Sequence, residues 1–219
     1  MVDDSPEYRA LATAVLVEAG HRVRAVGNLA EARKAFEAGA VDLVVLDLTL
    51  PDGDGLDFCG ELRAKSAVYV IMLTARTQEI DKLIGFRIGA DDYITKPFSG
   101  REFCARVGAL SRRSLNQAEV EGPITVGDVV IDRAAHEVRA GQNPVQLTKL
   151  EFELLVSLAT KQGLVITREQ LRERVWGDNW YGDGHVVDVH MSKLRKKLTA
   201  AGAGDVIVTV RGVGYKLST

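Results

Sequence analysis

Two short apolar runs constrain the fold of this 219-residue chain more than any other feature. Residues 41–46 and 68–73 contain almost no polar position, which is typical of strands covered on both faces by helices. The helical pattern at 56–65 separates them, and this alternation predicts right-handed crossovers and an open parallel sheet. The runs end at Asp47 and Thr74, and in such sheets binding sites form at the carboxyl ends of the strands.

The same alternation extends through the first half of the sequence. Ser5 followed by Pro6 predicts an N-cap with proline at the first helical position. The other predicted elements are a strand at 21–26, a helix at 29–38, a helix at 78–88, a strand at 93–94 and a helix at 99–113. Residues 114–123 are polar, lack periodicity and contain Gly122-Pro123, so they predict a linker between domains at 1–113 and 124–219.

A different pattern follows the linker. Residues 124–147 hold short β segments with turn signals. Thr148 with Glu151, and Thr167 with Gln170, have capping-box spacing and predict two helix starts. A third helix is predicted over 185–198, and strands at 206–210 and 214–217 flank a turn. Three helices followed by a β-turn-β segment predict a winged helix of the α+β class.

Composition excludes several classes of protein. The formal charge is 28 − 30 = −2, so no overall basic excess indicates nucleic acid. No apolar run reaches the roughly 18 residues of a membrane span, and the first residues are no signal peptide. Cys59 and Cys104 lie far apart without a CxxC motif, which argues against a zinc site and a disulfide framework. We expect a cytoplasmic protein without a membrane partner.

Four polar features are expected to meet at one edge of the parallel sheet. Asp3-Asp4 precedes the first helix, while Asp47, Thr74 and Lys96 lie at or just after strand ends. Neighbouring carboxylates repel each other unless a cation lies between them, and oxygen-only loop ligands suit Mg²⁺. A lysine and a hydroxyl could hold a phosphate opposite that metal, and an aspartate can attack phosphorus. Each residue alone is more simply a cap, a turn or an exposed side chain, but the ordered set predicts a phosphoryl-transfer site.

These residues and their neighbours resemble the receiver domain of bacterial response regulators. The resemblance covers nearly all of residues 1–113 and rests on DD, VVLDLTLPDGDG, MLTA and GADDYITKPF. It implies a flavodoxin-like, doubly wound parallel sheet in which Asp47 accepts a phosphoryl group from a sensor histidine kinase. It also implies that Asp4, Asp47 and the backbone carbonyl of Thr49 ligate Mg²⁺, with Asp3 acting through water.

The resemblance assigns three further residues around the acceptor. Lys96 would pair with the phosphoryl oxygens, Thr74 would donate a hydrogen bond to one of them, and the Lys96–Pro97 bond would be cis. Tyr93 would be the switch aromatic that swings inward when Thr74 turns toward the phosphoryl group. The alternative for Tyr93 is a half-buried ring that only packs.

One part of the receiver pattern is missing. Receivers normally begin with an apolar strand before the acidic pair, and only Met1-Val2 precedes it here. That first strand, truncated here, would be central, so its loss is expected to open the core and release Asp3 and Asp4. We expect the natural start to lie upstream of Met1, or the chain to have been cut there. A true start at Met1 would make magnesium-dependent phosphorylation doubtful.

The predicted helix at 185–198 is the candidate DNA-reading element. Residues 114–219 contain 13 basic and 13 acidic residues, so DNA binding must depend on local placement. The helix has a buried stripe of Val187, Met191, Leu194 and Leu198. Its opposite face carries His185, Val189, Ser192, Lys193 and Lys196, flanked by Arg195 and Lys197. Four cations and Asp188 give this helix a local charge of +3. Such a helix can enter the major groove of DNA, and the alternative is an amphipathic helix whose polar face is only solvated.

The segments VDVHMSKLRKKL and TVRGVGY resemble the effector domain of OmpR/PhoB-type transcription factors, and the match covers about 124–219. The resemblance implies promoter DNA as a partner, with the third helix in the major groove. The wing, with Thr209 and Arg211, would enter the minor groove. Residues 176–183, with Trp180 and Tyr181, would contact RNA polymerase, although we expect Trp176 to be buried. His185 and Ser192 stand where this family often has arginine.

The family pairs its receivers through a helix–strand–helix face, here near 78–113. Lys82 with Glu102, and Asp92 with Arg106, match two of its usual cross-protomer ion pairs. Ordinary pairs within one chain are the alternative. Exposed pairs contribute only about 0–1 kcal/mol each, so such pairs would set the register of a homodimer.

The sequence therefore predicts a transcriptional response regulator of a two-component system. Phosphorylation of Asp47 would promote dimerisation and promoter binding, and no separate substrate would be turned over. One alternative is a phosphorylation-independent DNA-binding regulator whose receiver only dimerises. Another is a haloacid-dehalogenase-type phosphatase, which needs an aspartate at the position of Thr49 and leaves the second domain unexplained.

Overall fold

The computed structural model describes residues 1–75, 88–111, 122–177, 180 and 185–218. The chain divides into two compact units, Met1–Ser111 and Arg112–Thr219. Nearly all of the helix predicted at 78–88, and most of the linker predicted at 114–123, fall outside the described residues. Within those ranges, no helix combines the length and the apolar character needed to cross a membrane.

Helices and strands alternate in the first unit. Its helices are α1 (Pro6–Glu18), α2 (Leu29–Glu37), α3 (Gly55–Lys65) and α4 (Gly100–Ser111). Its strands are β1 (Leu43–Asp47), β2 (Thr49–Leu50), β3 (Gly53–Asp54), β4 (Tyr69–Thr74) and β5 (Asp92–Thr95). Strands β1, β4 and β5 form a parallel sheet in that order, and β2 pairs with β3.

The two apolar runs form the buried centre of this sheet, as predicted. Every residue of β4 is buried, and β1 is buried from Val44 onward. In the register, Asp47 is opposite Leu73, and Thr74 is opposite Thr95. The polar ends of the three strands therefore meet at one edge.

Val2 lies where the receiver pattern has its first strand. It forms parallel bridges to Val26 and to Leu46, and it is only 4% exposed. Its amide donates to the Val45 carbonyl over 2.8 Å, and its carbonyl accepts from the Asp47 amide over 2.9 Å. The expected release of Asp3 is therefore wrong, because the backbone beside it is hydrogen-bonded on both sides.

The strand predicted at 21–26 is also wrong for most of its length. Only Val26 forms a β-bridge, and residues 21–25 have no strand pairing. A strand needs a neighbour along its whole length, and the short Met1–Asp3 segment supplies hydrogen bonds only at the end of this run. The amides of Asp3 and Val26 donate to the carbonyls of Val26 and Met1, over 3.2 and 2.9 Å.

In the residues that the structure describes, the second unit combines two antiparallel sheets with three helices. Strands β6 (Ile124–Val126), β7 (Val129–Asp132), β8 (Glu137–Ala140) and β9 (Asn143–Pro144) form the first sheet in sequence order. The helices are α5 (Lys149–Ala159), α6 (Arg168–Trp176) and α7 (Val186–Ala200). Strands β10 (Ile166–Thr167), β11 (Ile207–Val210) and β12 (Gly214–Leu217) form the second sheet, in the order β10-β12-β11.

Both predicted capping boxes are present. The Thr148 hydroxyl accepts the Glu151 amide and the Glu151 carboxylate accepts the Thr148 amide; Thr167 and Gln170 repeat this arrangement. Helix α7 buries the predicted stripe, and Val186 and His190 widen it, each being 1% exposed.

Candidate functional site

The predicted acidic residues lie together at the carboxyl edge of the parallel sheet. Asp3, Asp4 and Asp47 each offer a carboxylate oxygen within 4.8 Å of the others. Asp47 ends β1, and Val2 holds Asp3 beside it through the bridge to Leu46. Asp3 and Asp47 are buried while Asp4 is exposed, so the cluster opens to solvent on the Asp4 side.

Lys96 completes this cluster from the end of β5. Its ammonium lies 2.7 Å from the Asp3 carboxylate and donates to the Asp47 carboxylate. Burial lowers the pKa of Lys96, but the hydrogen bonds and negative charges of both carboxylates outweigh it, so its pKa is raised. Burial raises the pKa of Asp3 against the opposing influence of Lys96. The single positive charge of the ammonium is thus shared between two of the three acids.

The loop after Asp47 is held tightly. The Thr49 amide donates to the Asp47 carboxylate over 3.0 Å, and Thr49 then pairs with Asp54 in the β2–β3 hairpin. A Cβ atom at Gly55 would lie 2.2 Å from the Asp47 carbonyl oxygen, so the chain can return this close only at a glycine. The Asp52 carboxylate accepts two amides at the start of α2 and ties the hairpin to that helix.

The two predicted switch residues are both buried. Thr74, at the end of β4, is 1% exposed, and Tyr93, in β5, is 6% exposed. The Lys96 amide donates to the Thr74 carbonyl over 2.7 Å, and the Lys96–Pro97 bond is cis, as expected.

Two residues of α1 also reach this cluster and were missed in the sequence. The Arg9 guanidinium donates to the carbonyl oxygens of Asp3 and Asp4, over 2.6 and 2.9 Å. The Lys96 ammonium lies 4.5 Å from the centroid of the Tyr8 ring. Their position in the first turn of a helix that follows an acidic pair is the signal that could have found them.

The predicted dimer residues make contacts within one chain. The Arg106 guanidinium donates to both carboxylate oxygens of Asp92, over 3.1 and 3.2 Å, and to Glu102 over 3.0 Å. Asp92 and Arg106 are both buried. Lys82 lies outside the described residues.

In the second unit, the predicted DNA-contacting residues differ in exposure. His185, Ser192, Lys196, Thr209 and Arg211 are exposed, whereas Val189, Lys193 and Arg195 are half-buried. Arg211 lies in the turn between β11 and β12, so it is presented at the tip of a hairpin. Helix α7 and this hairpin therefore form one polar face that includes exposed cations.

Part of the charge predicted for α7 is matched inside the unit. The Lys197 ammonium lies 2.6 Å from the buried Glu151 carboxylate. The Arg195 guanidinium donates to the Ile207 carbonyl and to the Thr209 hydroxyl. The local charge of +3 is therefore not all available to a partner.

The aromatic residues before α7 are buried where the structure describes them. Trp176 is 1% exposed, as expected, and Trp180 is 3% exposed. Their ring centroids are 5.8 Å apart. Tyr181 lies outside the described residues.

Comparisons with known proteins identify both units. Residues 1–108 match the family model of the response regulator receiver domain, and residues 141–217 match that of the C-terminal domain of transcriptional regulatory proteins. The chain is 44% identical over 207 residues to the sensory transduction protein RegX3 of Mycolicibacterium smegmatis, covering 93% of this chain and 91% of the relative. It is 43% identical over 217 residues to the DNA-binding response regulator MtrA of that organism, covering 99% and 94%.

The chain is a response regulator of the OmpR/PhoB family. A solved mutant of RitR matches 99% of this response regulator with a TM-score of 0.81 and 28% identity, covering 96% of that structure. DrrB of Thermotoga maritima, described as an OmpR/PhoB homologue, matches with a TM-score of 0.52 and 32% identity, covering 100% and 97%. The predicted family and fold class are confirmed. The response regulator is a transcription regulator of a two-component system that joins a receiver to a DNA-binding domain.

Proposed function

We propose that a sensor histidine kinase phosphorylates this response regulator on Asp47 in a Mg²⁺-dependent reaction. The observation that supports this most is the cluster of Asp3, Asp4 and Asp47, in which the Lys96 ammonium contacts Asp3 and Asp47. These carboxylates form an oxygen-only donor set, which fits Mg²⁺. Asp4, Asp47 and the Thr49 carbonyl would hold the ion, and Asp3 would act through water.

The reaction transfers a phosphoryl group between two side chains. A carboxylate oxygen of Asp47 attacks the phosphorus of a phosphohistidine; the new O–P bond forms as the P–N bond breaks, and the imidazole leaves. Bound Mg²⁺ would supply positive charge beside the phosphoryl oxygens. Phosphoryl transfer depends mainly on positioning and on neutralising charge, and this chain places Lys96 beside Asp47 for that purpose.

The partners of the Lys96 ammonium change during the proposed reaction. Its ammonium now bridges Asp3 and Asp47. After transfer, the new phosphoryl oxygens become its partners, and the Thr74 hydroxyl donates to another of them. Thr74 and Tyr93 are both buried, so the Tyr93 ring already lies inside the unit before any change at Thr74.

Phosphorylation is proposed to promote pairing of two receivers through the face near residues 78–113. Asp92, Glu102 and Arg106 already contact one another within the chain, so their role between protomers requires a new arrangement of that network. The paired chains would place two α7 helices in the major grooves of promoter DNA, with Arg211 in the minor groove. RNA polymerase would meet residues 176–183 at positions other than the buried Trp176 and Trp180, and no separate substrate would be turned over.

The test combines labelling with DNA binding by the purified chain. A small-molecule phosphodonor is expected to label the wild type in the presence of Mg²⁺ but not after chelation, and Asp47→Asn is expected to abolish the label. Asp54→Asn is the matched control, because it changes a nearby exposed carboxylate that asparagine can replace as the helix cap.

Dimerisation and DNA binding are then measured on the same samples. Light scattering should show a dimer only for labelled protein, and a duplex selected from a random pool should bind more tightly to it. Equal affinity with and without the phosphodonor would refute the coupling. That result would favour a phosphorylation-independent regulator.

A further inference from the structure

The recognition helix α7 and the wing, defined here as strands β11 and β12 with their turn, are joined by side chains at two places. One contact runs from Arg195 to β11, and the other runs from Asp188 to β12. Neither contact is used by the function proposed above. Both bear on how the helix and the wing can reach DNA together.

The first contact holds β11. The Arg195 guanidinium donates to the Ile207 carbonyl from Nε over 3.2 Å and from Nη2 over 3.0 Å. Nη2 also donates to the Thr209 hydroxyl over 2.8 Å. Among the described strands β11 pairs only with β12, and the bonds from Arg195 lie on its other edge. Arg195 is half-buried there, and three of its hydrogen bonds are made to the protein.

The second contact holds β12. The Tyr215 hydroxyl donates to the Asp188 carboxylate, and the Arg168 Nε donates to the same oxygen over 2.8 Å. The Arg168 guanidinium lies 5.1 Å from the centroid of the Tyr215 ring. Burial, with the hydrogen bond to Asp188, raises the pKa of Tyr215 to about 12.

The two contacts are spaced so that they fix an orientation. Asp188 and Arg195 are separated by seven positions, which is about two helical turns and about 10 Å along one face. Thr209 and Tyr215 are cross-strand partners in the wing. Pairing with β10 holds the start of β12. The two side-chain contacts, at separated points of α7, therefore set how the rest of the hairpin is oriented against that helix.

We infer that Asp188 and Arg195 are positioning residues that set the wing against the recognition helix. Their effect on DNA affinity passes through Arg211 at the wing tip, and Arg195 and Thr209 act by binding each other rather than DNA. This inference changes the role predicted for both residues, and it rests on the proposed use of helix and wing in adjacent grooves.

The test measures affinity of the full chain for the duplex selected above, in wild-type and Arg211→Ala backgrounds. Thr209→Val removes the hydroxyl that Arg195 binds without changing any charge. It should weaken binding about fivefold in the wild type, as expected for the loss of one hydrogen bond worth about 1 kcal/mol. In the Arg211→Ala background it should weaken binding less than about twofold, because the wing contact is already gone. Thr209→Ser should restore wild-type binding.

Arg195→Ala separates positioning from direct phosphate contact. In the Arg211→Ala background it should leave the salt dependence unchanged, whereas a lost phosphate contact lowers the slope of log K against log salt by about 0.9. Lys196→Ala is the matched control, since this exposed cation on the same helix should lower the slope in either background. Urea unfolding, monitored by tryptophan fluorescence, checks that each variant is folded.

The outcomes are distinct. One outcome is that the double variant loses DNA affinity by the product of the two single losses of Arg195→Ala and Arg211→Ala, with a lower slope of log K against log salt. That result would overturn the positioning role while leaving the proposed DNA-binding mode intact. A wild-type chain that selects no duplex would overturn both. Loss of the Thr209→Val effect in the Arg211→Ala background, with rescue by serine, supports the positioning role.

Discussion

Replacing Lys197 by methionine tests the ion pair that connects the recognition helix to the start of α5. The Lys197 ammonium lies 2.6 Å from Glu151 Oε2, which also accepts the Thr148 amide over 2.8 Å. The Glu151 side chain is 2% exposed and that of Lys197 is 38% exposed. Lys197→Met removes the cation but leaves the buried carboxylate with its capping amide.

The expected cost follows from this asymmetry. Removing one partner of a fully buried pair typically costs about 3–5 kcal/mol. Lys197 is more than a third exposed, so water can replace the ammonium beside the carboxylate, and the cost falls toward that of one charged hydrogen bond, about 2 kcal/mol. Glu151→Gln keeps an acceptor for the Thr148 amide and returns the ammonium to water, so it should cost less, about 1 kcal/mol.

Tryptophan fluorescence makes this measurement specific to the second unit. The chain has two tryptophans, Trp176 and Trp180, and both are buried in that unit. In urea, a loss of 2 kcal/mol with a slope of about 1–2 kcal/mol per molar should lower the midpoint by about 1–2 M. Lys196→Met, on the exposed side of the same helix, is the matched control and should leave the midpoint unchanged.

The double variant tests whether Glu151 and Lys197 stabilise the second unit by interacting with each other. If the two side chains interact as described, Glu151→Gln with Lys197→Met should cost less than the sum of the single changes by about 1 kcal/mol. A midpoint for Lys197→Met equal to that of Lys196→Met, or strictly additive losses, would show that the pair contributes nothing.

Three further predictions concern the phosphoacceptor loop, the wing and a helix cap. Gly55→Ala places a methyl group 2.2 Å from the Asp47 carbonyl oxygen, so phosphodonor labelling should fall strongly while the tryptophan-detected transition stays unchanged. With a pKa of about 12, Tyr215 should ionise after ordinary tyrosines in an ultraviolet titration, and Asp188→Ala should move its pKa down. Because the unfolded chain loses this proton first, the free energy of unfolding should fall as pH rises from about 10 to 12. Thr167→Ala should destabilise the second unit by about 1 kcal/mol, measured by urea unfolding, and Thr167→Ser should recover most of the loss.

Local patterns in the sequence predicted most of the fold. The apolar runs at 41–46 and 68–73 form the buried strands because nearly every position in them is apolar. The capping boxes form because both partners lie three residues apart. The strand at 21–26 fails for the opposite reason, since strand pairing depends on a segment remote in sequence.

The residues of the candidate phosphoacceptor site also divide into those that the sequence predicted and those that it did not. Sheet topology alone brings Asp3, Asp47 and Lys96 together, since each follows or pairs with a parallel strand. Arg9 and Tyr8 reach the site through long side chains, and a pattern of helical spacing gives no measure of that reach.

Helix α7 shows what a pattern of exposed positions leaves undetermined. Its spacing correctly separates the buried stripe from the polar face. It does not reveal that Lys197 meets a glutamate from α5, or that Arg195 meets an edge strand. Those partners come from other segments of the chain, so only the assembled domain shows which cations remain for DNA.

We expect the bonds from Arg195 to β11 to affect the solubility of the folded chain as well. An edge strand exposes unpaired carbonyls and amides that can recruit a strand from another molecule and start aggregation. The Arg195 guanidinium donates to one such carbonyl, at Ile207, and to the hydroxyl of Thr209 two positions further on. A cation fixed on that edge repels a second copy approaching in the same way, so the hairpin can project from the protein without acting as a template for intermolecular sheets.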